Sequence, residues 1–214
     1  MKFALHIPLL TALSLIAASG NASELILHVT DSQNKALNDV ILYAIPDSPQ
    51  ASNKSPPNIE IEQKDLTFIP LVTVIQTGSR ITFPNHDKVR HHIYSYSPAK
   101  RFDQKLYSGE SAAPQVFDKA GTVVLGCNIH DSMLAYIKVV DTPYFAKTDA
   151  AGNAQINMPN GTYSLKAWHY NMAATEPISQ RIQIKGTDRL TPRTIQLDLK
   201  HHVINPASAV NVDY

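Results

Sequence analysis

Residues Gly126-Cys127-Asn128-Ile129-His130-Asp131-Ser132-Met133 contain the only cysteine of the 214-residue chain. Three side chains that commonly bind metals, Cys127, His130 and Met133, follow one another at intervals of three residues. Apolar runs typical of strands lie on both sides, 123–125 before and 134–140 after. Cys127 continues the every-second-residue spacing of the apolar Val123 and Leu125, and Met133 begins the same spacing for the apolar residues after it. Residues at this spacing in a strand point to the same face. The segment predicts two adjacent strands from which Cys127 and Met133 point inward, with His130 in the loop between them.

A thiolate, an imidazole nitrogen and a weak thioether belong to the donor set of a blue-copper site, which also needs a second histidine. Three upstream histidines are candidates for it: His86, His91 and His92. Consecutive residues of a strand face opposite sides, so at most one of His91 and His92 faces such a site. His91 lies two residues before the apolar Ile93 and so shares its face of the strand, which favours His91 without deciding between the two. His86 is expected to be a solvated loop residue.

Other interpretations of Cys127 are a buried structural thiol, a zinc site and a catalytic nucleophile. Zinc accepts one cysteine and two histidines, with water or Asp131 as the fourth ligand. A Cys-His nucleophile needs an orienting partner and a substrate pocket, for which the sequence carries no signature. A single cysteine excludes an internal disulfide, a Cys-x-x-Cys-His haem attachment, a dithiol centre and a copper centre bridged by two thiolates.

Strand signals dominate the rest of the chain, which has 14 prolines and many short runs of Val, Ile, Thr and Tyr. Two hairpins are predicted. One joins the apolar runs 25–29 and 40–45, and the other turns at Pro159-Asn160-Gly161-Thr162. The net charge of +1 argues against nucleic-acid binding and against adsorption to an anionic membrane.

The N-terminal residues have the pattern of an export signal. A basic start at Met1-Lys2 precedes an apolar run, 3–18, and small residues up to Ala22. This predicts a signal peptide, 1–22, cleaved near Ala22, and hence a periplasmic protein. The alternative is an uncleaved anchor, but the run is shorter than the roughly 20 residues that a membrane span needs. After cleavage no integral membrane span is expected, and residues 201–214 are predicted to be a mobile tail.

The segment 58–141 resembles a cupredoxin, the small Greek-key β-sandwich of blue-copper proteins such as amicyanin and plastocyanin. The residues that carry the resemblance are Gly78-Ser79-x-Ile81-x-Phe83-x-Asn85-x-Asp87, then His91-x-Ile93, then Cys127-x-x-His130-x-x-Met133. The resemblance implies one type 1 copper ion. It implies His91, Cys127 and His130 as equatorial ligands and Met133 as the weak axial ligand, in a loop with the short spacing of amicyanin.

Two departures from the cupredoxin pattern lie beside these ligands. Loops of this family often have proline next to the exposed histidine, where this chain has Ile129 and Asp131. The position after the first ligand histidine, often an asparagine, is His92 here. Outer hydrogen bonds tune metal sites, so both departures bear on the properties of the bound copper.

A second resemblance concerns residues 148–168, which are similar to the carboxypeptidase regulatory-like β-sandwich, and residues 25–45, which have the shape of that family's first two strands. The predicted architecture is all-β. A discontinuous sandwich, 23–55 with 142–200, has the cupredoxin domain 58–141 inserted between its strands. In the alternative, the N-terminal strands belong to the cupredoxin sheet.

These resemblances imply an exported mononuclear copper protein that transfers electrons and is not an enzyme. The implied partner is a redox protein such as a c-type cytochrome or a periplasmic dehydrogenase. The alternatives are a copper-binding protein for delivery or tolerance, and a cupredoxin-like module without a redox role. Proteins with this arrangement often carry the label methylamine utilisation, from which no methylamine metabolism is inferred.

Overall fold

The computed structural model describes residues 22–48, 57–107, 113–185 and 192–200. The predicted signal peptide, apart from Ala22, and the predicted tail 201–214 lie outside these residues. Within them the regular structure consists of strands, which confirms the all-β prediction. The strands are β1 Ala22–Asp31, β2 Ile41–Pro46, β3 Asn58–Glu60, β4 Glu62–Lys64, β5 Thr67–Ile69, β6 Val72–Gln76, β7 Ser79–Thr82, β8 His91–Ser97, β9 Lys100–Tyr107, β10 Gln115–Phe117, β11 Gly121–Cys127, β12 Leu134–Val140, β13 Phe145–Lys147, β14 Asn153–Pro159, β15 Gly161–Trp168, β16 Ile178–Ile184 and β17 Arg193–Leu197.

A five-stranded sheet in the order β6-β12-β11-β8-β9 carries the cysteine. Its strands are antiparallel except for the parallel pair β12 and β6. A three-stranded sheet, β10-β7-β3, and the hairpin β4-β5 contribute to the same apolar core. The residues of this core that are fully or almost fully buried include Ile81, Phe83, Ile93, Phe117, Val123, Leu125 and Ile137. Inward residues at every second position of β11 and β12 make this core, as the alternating pattern predicts.

The remaining strands form two further sheets, β14-β1-β17 and β13-β2-β15-β16, around a second core. β1 is antiparallel to β14 and parallel to β17, and β2 is antiparallel to both β13 and β15. The first two strands of the chain therefore share sheets with strands that follow residue 144. The division of the chain into 23–55, 58–141 and 142–200 stays a prediction.

Both predicted hairpins are wrong. β1 and β2 belong to different sheets, and so do β14 and β15, which the turn at Asn160 joins. Each turn therefore carries the chain from one sheet across the core to the facing sheet. The physical reason is burial, because β1 and β2 both present apolar residues to one core, including Leu25, Leu27, Ile41 and Leu42. Facing sheets bury these residues against one another.

Two residues of β12 are among those that join the second core to the outer face of the five-stranded sheet. The rings of Tyr136 on β12 and Tyr170 stack with centroids 4.8 Å apart. Lys138, also on β12, is buried and holds its ammonium 5.2 Å from the ring centre of Trp168, while it donates to Thr122 Oγ1 at 3.0 Å. In the part of the chain that the structure describes, no helix is long and apolar enough to cross a bilayer.

Candidate metal centre

The position of Cys127 follows from strand register. Cys127 ends β11, and its pairing partner on β8 is Ile93. The side chain is 3% exposed and packs in the same core as Val123 and Leu125, which precede it at every second position. Because alternate residues of a strand face the same side, the apolar pattern of β11 directs the thiol inward.

The loop after β11 returns two further donors to this thiol. Asn128 N–H donates to the carbonyl of His92 at 3.0 Å, and Met133 N–H donates to the carbonyl of His130 at 2.9 Å. The second bond closes a tight turn that leaves His130 partly exposed. Met133 is 1% exposed and packs in the same core as Cys127. The loop therefore holds one donor at the surface and one in the interior.

His91, the first residue of β8, brings the remaining imidazole. It is fully buried, and its Nδ1 lies 3.8 Å from Cys127 Sγ. His130 Nδ1 lies 3.9 Å from the same sulfur, and the two imidazole rings meet edge to face with centroids 5.1 Å apart. Among the histidine, cysteine, aspartate and glutamate side chains of the described residues, these three form the one group of three or more whose ligand atoms all lie within 4.8 Å of one another.

These distances fit a bound metal ion. Bonds of about 2.0–2.1 Å to nitrogen and 2.3 Å to sulfur, at tetrahedral to trigonal angles, separate the two donor atoms by roughly 3.5–3.8 Å. The observed separations are 3.8 and 3.9 Å. A thiolate with two imidazoles and a buried thioether beside them is the donor set of a copper site. Asp131, the alternative zinc ligand, is exposed and does not belong to the cluster.

The structure also separates the candidate histidines. His92 projects from the opposite face of β8 and pairs through its Nε2 with the carboxylate of Asp103. His86 is exposed, as the sequence predicts, and its Nδ1 lies 2.8 Å from Glu62 Oε2. Neither ring reaches the cluster around Cys127, so His91 is the upstream histidine that the fold brings to the thiol.

Asp87 contacts the ring nitrogen of His91 that faces away from Cys127, a role that the sequence pattern alone does not predict. Its Oδ2 lies 2.8 Å from His91 Nε2. Burial would raise the pKa of this carboxyl, but hydrogen bonds from His91, Leu66 and Asp65 outweigh burial and hold its pKa below the usual value. The group therefore stays ionised and accepts a hydrogen bond from Nε2, which leaves Nδ1 free as a donor towards a metal. The available signal was a carboxylate four residues before a candidate ligand.

The other described histidines lie away from the cluster. His28 Nδ1 lies 3.0 Å from Asn153 Oδ1, on the sheet of the second core. His169 is buried, and its Nδ1 accepts a hydrogen bond from Asn171 N–H at 3.2 Å. Burial lowers the pKa of His169, against a smaller effect of Asp39 that raises it. A structural role accounts for both histidines.

No protein-family model and no curated protein sequence matches the chain. Three similar solved structures are a copper-containing nitrite reductase, a purple cupredoxin and an amicyanin variant. The nitrite reductase from Thermus scotoductus SA-01 is 22% identical over 45% of this chain and 25% of its own, with a TM-score of 0.39. The purple cupredoxin from Nitrosopumilus maritimus is 22% identical over 38% of this chain and 98% of its own, with a TM-score of 0.34.

The third structure is an oxidised proline-to-alanine variant of amicyanin, 19% identical over 38% of this chain and 81% of its own, with a TM-score of 0.35. This chain thus spans about a quarter of the nitrite reductase. Each likeness covers less than half of this chain. The assignment of a function therefore depends on the geometry of the side chains around Cys127.

Proposed function

We propose that this chain is an exported type 1 copper protein that carries electrons and holds one copper ion through His91, Cys127, His130 and Met133. The observation that carries the proposal is the convergence of two imidazole nitrogens on one buried sulfur at 3.8 and 3.9 Å. The donor set supports copper over zinc, because a buried thioether suits copper and no carboxylate from the described part of the chain joins the cluster.

Copper, when bound, would supply one-electron exchange between its cupric and cuprous states. The residues of the chain keep the site nearly the same in both states. Cys127 and Met133 lie at the adjacent ends of the paired strands β11 and β12, and His91 is fixed between β8 and Asp87. Ligands that are held by strands and hydrogen bonds move little when the charge of the metal changes.

His130 is the proposed point at which electrons enter and leave. It is partly exposed, whereas His91 and Cys127 are buried. Ile129, the preceding residue, is 48% exposed, and Leu134, four residues further on, is 44% exposed. Exposed apolar side chains close in sequence to a partly exposed ligand support brief contact with a redox protein, for which we propose a c-type cytochrome or a periplasmic dehydrogenase. Location in the periplasm is proposed from the pattern of residues 1–22.

For the second set of sheets we propose a structural or partner-binding role, as the resemblance to a regulatory-like sandwich implies. The stacked pair Tyr136 and Tyr170 and the buried Lys138 beneath Trp168 tie these sheets to the strands that carry the metal ligands. These contacts support a fixed scaffold for the copper site. No bond-making or bond-breaking catalysis is proposed for either part of the chain.

Stopped-flow mixing of the copper-loaded protein with a reduced c-type cytochrome tests the electron-transfer function. The expected result is oxidation of one cytochrome haem per bound copper, with copper retained by the protein. Cys127→Ser, treated with the same copper, is expected to oxidise the cytochrome far more slowly. Copper that leaves for a competing chelator while the cytochrome stays reduced would contradict electron transfer and favour delivery. A purified protein that retains no metal would favour a module without a redox role.

A further inference from the structure

The turn between β4 and β5 contains no proposed metal ligand, yet hydrogen bonds connect it to His91. Its two residues, Asp65 and Leu66, have left-handed φ angles of 53° and 56°. Two such residues between antiparallel strands are the pattern of a type I′ turn, which asparagine and glycine normally occupy. Leu66 is 43% exposed, so core packing does not account for a leucine in this conformation. The left-handed backbone does, however, direct two N–H groups to one side of the turn.

The carboxylate of Asp87 receives both of these N–H groups. Asp65 N–H donates to Oδ1 at 2.7 Å, and Leu66 N–H donates to Oδ2 at 3.1 Å. The same Oδ2 lies 2.8 Å from His91 Nε2. One side chain thus joins the tip of a hairpin to the buried ring whose other nitrogen faces Cys127.

The loop that carries Asp87 is fixed as well. Asp87 N–H donates to Asn85 Oδ1 at 2.9 Å, and Asn85 Nδ2 donates to the carbonyl of Val89 at 2.9 Å. His86 N–H donates to the carbonyl of Gln63 on β4 at 2.8 Å. A backbone bond therefore holds the loop to β4 at the residue before Asp87, and the two N–H groups of the turn hold the Asp87 carboxylate itself.

We propose that the Asp65–Leu66 turn is a positioning element of the metal site, acting through Asp87 on His91. The Asp87 carboxylate, 2.8 Å from Nε2, accepts the proton of that nitrogen in a hydrogen bond, so that the lone pair of Nδ1 faces the metal. Its negative charge also increases the donor strength of the imidazole, which stabilises the more oxidised state of a bound metal. The proposal rests on the copper function proposed above.

The first test compares Asp87→Asn with Asp103→Asn. Asp103 pairs with Nε2 of the neighbouring histidine, His92, which faces away from the site, so the two substitutions are chemically matched. For Asp87→Asn, Cu(II) affinity is expected to fall by about 10- to 100-fold. With Cu(I) affinity unchanged, the reduction potential rises by about 59 to 118 mV. Asp103→Asn is expected to leave both quantities at the wild-type values, and equal effects of the two substitutions would overturn the proposal.

The second test changes the turn itself. Leu66→Gly and Leu66→Pro both remove the exposed leucine side chain, but only proline removes the N–H group and forbids a positive φ. The potential of the copper-loaded Leu66→Pro protein is expected to rise as it does for Asp87→Asn, while that of Leu66→Gly stays unchanged. A folded Leu66→Pro protein with the wild-type potential would overturn the role of the turn. If Leu66→Pro does not fold, Leu66→Val takes its place, because a β-branched residue strongly disfavours a positive φ, and the same rise in potential is expected.

A third measurement needs no metal. Nitrogen NMR of the His91 ring in the metal-free wild type is expected to show the Nε2–H tautomer, and Asp87→Asn a mixture of tautomers. A mixture in the wild type, or a potential that Asp87→Asn leaves unchanged, would overturn the positioning role. Failure of the wild type to bind copper through its thiolate would instead overturn the proposed function, so the two failures are distinct.

Discussion

Replacing Met133 by leucine separates the two roles of this side chain, packing and metal ligation. Met133 is 1% exposed and lies in the core that contains Cys127. Leucine conserves most of the volume, and such a swap usually costs less than about 1.5 kcal/mol, whereas truncation to alanine costs about 2–5 kcal/mol. The metal-free Met133→Leu protein should therefore fold, with the thioether sulfur removed.

The expected result for Met133→Leu is a raised reduction potential of the copper-loaded protein, because the oxidised state loses a donor. A tenfold loss of Cu(II) affinity relative to Cu(I) corresponds to a rise of about 59 mV. Urea unfolding of the metal-free protein measures the packing cost, and redox titration measures the potential. The matched control is Met158→Leu, since Met158 is also 1% exposed but lies in the other core.

Met158→Leu is expected to change the free energy of unfolding by a similar amount and to leave the potential alone. If Met133→Leu and Met158→Leu give the same potential and the same visible spectrum as the wild type, the sulfur of Met133 is not a ligand. The reasoning from burial and donor type would then be wrong for this residue, although its packing role would stand.

Three further predictions concern other parts of the same fold. In Gly126→Ala the new Cβ would lie 2.8 Å from Cζ of Tyr94, so the free energy of unfolding of the metal-free protein, measured in urea, should fall by about 1–3 kcal/mol. The same substitution in a Tyr94→Ala background should cost nothing, and an unchanged cost there would contradict the clash. His169 has a pKa lowered by burial, so the unfolded chain binds the proton more tightly and the free energy of unfolding should fall as pH drops below about 6.5. Between pH 7.5 and pH 5, urea unfolding should show a smaller fall for His169→Asn than for the wild type, and an equal fall would exclude this histidine as the cause. Added imidazole should restore the copper spectrum of His130→Gly but not of His91→Gly, because His91 is fully buried; restoration of both would contradict the assigned exposures.

Part of the site can be predicted from the sequence because a strand has a period of two. Parity along β11 and β12 is enough to direct Cys127 and Met133 inward, since a register slip would expose the whole apolar face. The choice between His91 and His92 needs the tertiary structure. The two histidines are adjacent and each meets a carboxylate. The shift in the register between β8 and β9 that falls between His91 and Ile93 is not visible in the pattern.

The role of Asp87 and the two hairpins show where the sequence is insufficient. The Asp87 carboxylate accepts hydrogen bonds from the turn at Asp65 and Leu66, which lacks the asparagine and glycine that mark a type I′ turn. Turn residues such as Asn160 and Gly161 mark where a strand ends, but not which sheet the next strand joins. That choice depends on which apolar faces meet in the core, which is a property of the whole chain.

The visible absorption spectrum of the copper-loaded protein tests the proposed copper site most directly. Addition of one equivalent of Cu(II) is expected to produce an intense visible band from charge transfer between the Cys127 thiolate and the metal. Cys127→Ser should lose the band, while Asp103→Asn should keep it. A colourless protein that binds Cu(II) stoichiometrically would contradict ligation by the thiolate and with it the proposed electron-transfer site.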